Sequence, residues 1–363
     1  MSKTYSRRYP GSPKISDPME LRYYLACSEG ANMKRVNCHP ISLVFLMLVV
    51  SLATFGFAQT PPTPLSPKIY AILLGTGYPR PDADRAGPST AIIIGEKVFL
   101  VDAGRGVTMR LAAANLAPKS IHAVFLTHLH SDHIDGLPDV FHTAWQFGRA
   151  TPFELYGPTG TQDLVDGIMK FYAADIHIRR DLTEKLPAEG AKINLHTVKE
   201  GIVYEDEDVR VTAFLVDHAP VEPAFGYRFD QIEKVSNSTE NPRVVATIVI
   251  SGDTHPNENL IRYAKNADVL IHEAYLPQIK APDDTASDEP WFTRYHSTAA
   301  EAGEDAARAN VKMLVLTHLI PHRAGNVDAE FQSEAAKSFR GPIIVGHDLM
   351  RIDIPVGDKS SPK

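Results

Sequence analysis

The sequence predicts an α/β protein in which two β-rich sheets are covered by helices, a four-layer αββα sandwich. Three observations carry that reading. Apolar runs of strand length, rich in Val, Ile and Leu, recur along the whole body. Helix-period segments separate many of them. The first part is strand-dense with glycine turns such as Gly75-Thr76-Gly77, whereas later parts alternate strand and helix.

In chain order, strands are expected at Tyr70 to Leu74, Thr90 to Ile94, Val98 to Val101, Ala123 to Leu126, Val209 to Val216, Val244 to Ile250, Val269 to Ile271, Met313 to Leu316 and Ile343 to Val345. Helices are expected at Gly106 to Asn115, Thr161 to Ala174, Asn257 to Ala267, Thr298 to Ala309 and Ala329 to Phe339, where apolar residues recur with helical spacing. No low-complexity linker interrupts Ser66 to Asp353, so one domain is expected, placed at 69–354 and near the upper size for a single core. An internal echo fits a duplicated architecture: Val124 to Leu129 and Leu314 to Leu319 are both apolar runs closing on Thr-His-Leu. Each delivers a histidine at a strand's C-terminal end, where α/β folds place their sites.

Composition excludes several classes. At 44% hydrophobic and 22% charged, the 363-residue chain is neither disordered nor collagen-like. Cys27 and Cys38 are its only cysteines, which rules out a disulfide framework or a thiolate zinc site in the main body.

The front of the chain reads as a secretory signal. Ile41 to Ala58 is an apolar stretch preceded by Met33, Lys34 and Arg35 and closed by Gly56-Phe57-Ala58, a small-x-small pattern. Met33 fits as the true start, and an uncleaved membrane anchor is the alternative, since 18 residues reach the low end of a spanning length. The expected organisation is an N-terminal extension and signal at 1–58, a Pro-rich linker at 59–68, the body at 69–354 and a polar tail at 355–363. The body is expected to be exported, periplasmic or secreted, with membrane contact only if the signal stays uncut. Without the first 58 residues the chain keeps 30 basic and 41 acidic residues, a net charge of −11.

Thr127-His128-Leu129-His130-Ser131-Asp132-His133 places three imidazoles and a carboxylate in six positions directly after an apolar strand. Extended geometry points His128 and His130 to one side, toward one metal, and a turn into a helix swings Asp132 and His133 toward a second. Further ligand-type residues close later strands: His218 after Val209 to Val216, Asp253 after Val244 to Ile250, and His318 after Met313 to Leu316. Imidazole mixed with carboxylate and no thiolate suits Zn²⁺ first, with Mn²⁺ and Fe²⁺ also compatible.

These motifs resemble the metallo-β-lactamase superfamily, and their finer wording resembles its ribonuclease Z and arylsulfatase-like branch. Leu74-Gly75-Thr76-Gly77, Phe125 to Pro138, Phe225-Gly226-Tyr227-Arg228, Ile250-Ser251-Gly252-Asp253-Thr254, Ile271-His272-Glu273-Ala274 and His296-Ser297-Thr298-Ala299 match that branch in order. The resemblance implies that His128, His130 and His218 hold one zinc, that Asp132, His133 and His318 hold a second, and that Asp253 bridges them. It also implies His296 as the acid for the leaving group with Glu273 orienting it, while Asp132 doubles as acceptor of the water's proton. Two departures stand out: Tyr275 replaces a Thr, and His347-Asp348-Leu349 stands where the branch carries Asp-Gly. His322 and His347 are held as residues flanking the site. His122, His142, His177, His196 and His255 lie outside any ligand pattern, and Arg85 is read chiefly as a solvated loop residue.

The activity so implied is a dinuclear zinc hydrolase in which a metal-bridging hydroxide attacks an electrophilic centre. Three arguments point to a small anionic ester, a phosphodiester or aryl sulfate, rather than to nucleic acid. Only Phe229 to Ser251 lie where ribonuclease Z enzymes carry a tRNA-gripping arm; a body of net charge −11 repels a polyanion; and an exported enzyme does not meet precursor tRNA. The alternatives are a ribonuclease Z-like tRNA 3′-processing endonuclease and a hydrolase of lactones, thioesters or β-lactams. A homodimer is compatible with either.

Overall fold

A computed structural model describes residues 69–233, 242–277, 291–321 and 325–354, without the side chains of Trp291 and Phe292. The chain divides into two units, Met1–Pro62 and Thr63–Lys363, and all described residues belong to the second. The expected signal, linker and tail therefore lie outside the described residues. Among the described residues, no helix is long and apolar enough to cross a membrane.

The first half of the domain contains β1 (Ile69–Gly75), β2 (Ser89–Ile94), β3 (Lys97–Val101), α1 (Val107–Ala113), β4 (Ile121–Phe125), α2 (Ser131–Ile134), α3 (Leu137–Gln146), β5 (Phe153–Gly157), α4 (Thr161–His177) and β6 (Ile193–Thr197). The second contains β7 (Gly201–Glu205), β8 (Val209–Val216), β9 (Ala224–Glu233), β10 (Arg243–Ile250), α5 (Glu258–Ala264), β11 (Val269–Tyr275), α6 (Ala299–Arg308), β12 (Leu314–Ile320), α7 (Asp328–Ala335) and β13 (Ile343–Val345). The last strand, β14 (Met350–Asp353), returns to pair antiparallel with β1. One sheet thus has the order β14-β1-β2-β3-β4-β5-β6 and the other β13-β12-β11-β10-β9-β8-β7.

The continuous apolar runs have a simple cause. Successive residues of a strand point to opposite faces, and the central strands here are buried on both. In β1, Ala71 and Leu73 face the core between the sheets while Ile72 and Leu74 pack outward; Phe99 and Val101 of β3 face inward while Val98 and Leu100 face outward. The inner core gathers Phe99, Phe125, Tyr227 and Phe229. The outer face of the first sheet packs against α1, α3 and α4, and that of the second against α5, α6 and α7. This is the expected four-layer sandwich.

Nine expected strands and five expected helices are present; β8 and β13 keep the expected bounds and the others shift at one or both ends. The strands the sequence did not announce are β5, β6, β7, β9 and β14, and the missed helix is α3, whereas α2 is the helix expected to carry Asp132 and His133. In β6 and β7 every residue is partly or fully exposed, so they lack the apolar continuity of the central strands.

α6 opens with a full capping box: the Thr298 side chain accepts from Glu301 N, and the Glu301 side chain accepts from Thr298 N. Its Gly303 is a close-approach position, since a Cβ there would stand 2.2 Å from the carbonyl oxygen of Ala335 on α7. At Gly167 on the exposed side of α4 a Cβ would meet nothing within 4 Å. The two glycines are therefore expected to respond oppositely. Gly303→Val should lower the unfolding free energy by about 2 kcal/mol or more through overpacking, and Gly167→Ala should raise it by about 0.5–1 kcal/mol through helix propensity. Denaturant titration of each variant checks both signs.

Candidate metal centre

The cluster forms where strand ends of both sheets meet. β4 ends at Phe125, and the chain runs on through His128 to His130, whose backbone is extended and which stands at the N-cap position of the four-residue helix α2. Asp132 and His133 fall in that helix, as the spacing implies, and both are buried. Across the cleft, His218 follows β8, Asp253 follows β10, and His318 lies within β12. Gly252 makes the turn that presents Asp253: its φ is +65°, and a Cβ there would lie 2.6 Å from Phe225 O. The sheets are tied at this end by Phe225 N donating to Thr127 O at 2.9 Å and Tyr227 Oη donating to Leu126 O at 2.7 Å.

Besides an overlapping set of Asp253, His296 and His318, two groups among the described residues have ligand atoms within 4.8 Å of one another: His128, His130, His218 and Asp253, and then Asp132, His133 and His318. Asp253 Oδ2 lies between them, 3.8 Å from His128 Nε2 and 4.0 Å from His218 Nε2 on one side, and 3.2 Å from both His133 Nε2 and His318 Nε2 on the other. Asp132 Oδ2 is 3.6 Å from His133 Nε2 and 3.4 Å from His318 Nε2. All seven residues singled out by sequence are thus brought together.

Burial pushes the His128 imidazole well below its usual range, reinforced by the neighbouring His133, and lowers His130 and His218 as well. These three favour the neutral form a metal needs. In the second group burial acts the same way, but Asp253, Asp102 and Asp132 outweigh it and raise His133 well above its usual range. His318 is pushed up to about 9, with Asp253 and Asp132 overcoming its burial. Burial would raise Asp253, yet the charges of His133 and His318 hold it well below the usual carboxylate range. A negative field strong enough to keep protons on buried imidazoles will hold a divalent cation in their place. The donor set fits that group: Asp132 Oδ2, His133 Nε2 and His318 Nε2 are buried without a hydrogen bond among the described residues, and each such atom costs about 1–3 kcal/mol unless something satisfies it.

A second layer aims these side chains. His133 Nδ1 pairs with Asp102 Oδ2 at 2.8 Å, and Asp102 accepts from Thr127 N and Oγ1, both at 2.8 Å. His218 Nδ1 donates to Tyr295 O at 2.9 Å. His296 Nδ1 pairs with the Glu273 carboxylate at 2.9 Å, and Glu273 also accepts from Thr254 N at 2.8 Å. A cavity of about 120 Å³ over the cluster is lined by Pro79, His130, Ser131, Asp132, Asp253, Tyr295, His296 and His318.

Asp102 and Tyr295 escaped the sequence reading. Asp102 carried the signal used elsewhere, a carboxylate directly after an apolar strand; Tyr295 carried none beyond standing next to His296. His322 lies outside the described residues. His347 is turned to Asp328 at 2.8 Å, and Asp348 is absorbed by Thr76, Ala86 and Arg110. Arg85 is not simply solvated: it donates to Thr76 Oγ1 and Gly346 O.

The Beta-lactamase superfamily domain matches residues 97–319. The chain belongs to the metallo-β-lactamase superfamily. Within it, the chain is close to ribonuclease Z. It is 38% identical over 297 residues to the Ribonuclease Z of Mycobacterium sp. (strain KMS), a match covering 80% of this chain and 97% of that protein. It is 37% identical over 291 residues to the Ribonuclease Z of Mycobacterium bovis (strain BCG / Pasteur 1173P2), covering 78% and 97%. Two solved structures share the fold. The metallo-β-lactamase fold protein YhfI from Bacillus subtilis has a TM-score of 0.59 at 20% identity, covering 79% of this chain and 99% of that one. Human tRNase Z, short form, has a TM-score of 0.57 at 24% identity, covering 79% and 100%. The His/Asp groups match the dinuclear zinc centre of this superfamily, and the chain is a zinc-dependent metallo-hydrolase.

The superfamily relatives correct three expectations. The expectation that nucleic acid is an unlikely partner is overturned, because relatives aligned over 97% of their length are ribonuclease Z enzymes. That match of 297 residues takes in 80% of this chain, which leaves no room for a long extra arm in the relative, so the short β9–β10 connection is no argument against it. The net charge of −11 sums side chains over the whole body, whereas a phosphate in the cleft responds to charges within a Debye length of about 8–10 Å, where the zinc pair dominates. The preference for a small anionic ester loses its support with these two arguments. The expectation of export or anchoring is overturned on the same finding, the match to ribonuclease Z enzymes over 97% of their length.

The charges at this centre set how zinc binding depends on pH. With His133 raised and His318 near 9, zinc must displace at least one proton at neutral pH. Lowering the pH refills those sites with protons, so zinc affinity should fall about tenfold or more per unit between pH 8 and 6. Calorimetric titration in buffers of unlike ionisation enthalpy should register the proton release; an affinity independent of pH would contradict this charge distribution.

Proposed function

We propose that this chain is a ribonuclease Z-like endonuclease that cuts the 3′ trailer from tRNA precursors. The observation that carries the reading is identity of 38% across 97% of a ribonuclease Z relative, joined to a site holding all seven ligand-type residues and the His296–Glu273 pair. The hydrolase is assigned to 69–354, with 1–58, 59–68 and 355–363 as flanking extension, linker and tail.

In this reading His128, His130 and His218 hold one zinc, Asp132, His133 and His318 the other, and Asp253 serves both. When bound, the zinc pair supplies water of lowered pKa and neutralises charge on the scissile phosphate. The chain's own residues do the rest. Asp132, at the cavity wall beside His133 and His318, takes the proton lost by the attacking water. Glu273 holds His296 Nδ1, which orients Nε2 as the donor to the leaving oxygen once the phosphorus–oxygen bond breaks. Asp102 fixes the ring of His133 through Nδ1.

Three outcomes test this assignment. Wild-type protein loaded with zinc should cut a tRNA precursor with a 3′ trailer at a higher kcat/KM than bis(nitrophenyl) phosphate, nitrophenyl sulfate, a lactone or a cephalosporin; an uncut precursor would sink the reading. His296→Ala should keep about two zinc ions per chain and lose about 10²- to 10⁴-fold in rate on the precursor, with a much smaller loss on the activated nitrophenyl ester. Asp253→Ala should instead lower the occupancy of both metals, measured by elemental analysis.

A further inference from the structure

Each residue from Arg294 to Ser297 is held to the scaffold. Arg294 O accepts from His255 Nε2, Tyr295 O accepts from His218 Nδ1 at 2.9 Å, and His296 is held by Glu273. Ser297 Oγ donates to Thr254 O at 2.6 Å, and Ser297 O accepts from Tyr275 N at 2.9 Å. The Tyr295 side chain therefore springs from a backbone whose position is set before any substrate arrives.

That side chain is half-buried at the cleft. Its ring centroid lies 5.0 Å from His218 and 5.0 Å from His296, and 6.2 Å from His130. Tyr295 and Pro79 line the same cavity, whose other walls are imidazoles, carboxylates and the Ser131 hydroxyl. Hydrolysis of a phosphodiester as derived above uses the imidazoles and carboxylates and leaves the phenol ring without a part in the chemistry. A phosphate of RNA, however, brings a ribose and a planar base on either side. An aromatic face beside the reacting phosphate suits such a base, because every base has a π-face and stacking needs no particular hydrogen-bond pattern.

We propose that Tyr295 is a specificity-determining residue, whose ring stacks on the nucleobase next to the scissile phosphate. For its substrate class the inference rests on the ribonuclease reading. The ring is what matters; the hydroxyl is not required. The prearranged backbone keeps the ordering cost of the contact low.

The test compares ligands that differ by a base. Binding of adenosine 5′-monophosphate, adenosine 3′-monophosphate and ribose 5-phosphate to zinc-loaded protein is measured by calorimetry for wild type, Tyr295→Phe and Tyr295→Leu, with zinc content determined for each. Wild type and Tyr295→Phe should bind at least one nucleotide about 5- to 150-fold more tightly than ribose 5-phosphate. Tyr295→Leu should lose that preference while keeping its zinc and its affinity for ribose 5-phosphate. Absence of a preference in wild type, or its survival in Tyr295→Leu, overturns the inference. So does an equal loss of ribose 5-phosphate binding or of zinc, which would make Tyr295 merely the wall behind His218. A wild type that shows the ring-dependent preference but leaves precursor tRNA intact overturns the ribonuclease reading and upholds the nucleotide contact.

Discussion

The carboxylate of Asp253 is buried with one oxygen, Oδ2, between imidazole nitrogens that reach it from three stretches of chain: His128 and His133 from the first, His218 from the second and His318 from the third. A buried carboxylate is tolerated only where positive charge is close and well placed. Protons on His133 and His318 supply it in the metal-free protein, and zinc supplies it in the loaded one. This charge balance depends on separations of 3.2 to 4.0 Å, so the ends of β4, β8, β10 and β12 must arrive at one point. The ties from Phe225 to Thr127 and from Tyr227 to Leu126 secure that convergence.

Around this centre the two sheets make matching contributions. The first sheet offers Asp102, at the end of β3, which pairs with His133; the second offers Glu273, on β11, which pairs with His296. Each is a buried carboxylate whose work is to choose which nitrogen of a histidine faces the cleft. In the reading proposed above, the histidine of the first pair serves a metal and that of the second the leaving group. Binding and proton transfer are thus served by the same device, and both are placed on strands rather than on long loops, where position is best defined.

Much of the sandwich and most of the centre were legible in the chain. Strands such as β1 and β10 are apolar over most of their length because they are buried on both faces, and His128 to His133 announce themselves because their geometry is local, a strand end running into one helical turn. Strands β6 and β7 stayed hidden because their residues are partly solvated and carry no such run. The substrate class was misread from a property that averages over the molecule: net charge counts acids far from the cleft, while screening confines what a phosphate meets to its surroundings.

By itself, then, the sequence determined the layers, the ligand types and the order in which they occur, since these follow from periodicity and from the chemistry of single side chains. Only the tertiary structure decided that His218, Asp253 and His318 stand within reach of the His128 to His133 turn, that Asp102 belongs to the centre, and that Tyr295 lines its mouth. These residues are separated by many tens of positions, and no periodicity encodes their meeting. Their distances are fixed by how two sheets pack face to face, which is a property of the whole core and of no segment within it.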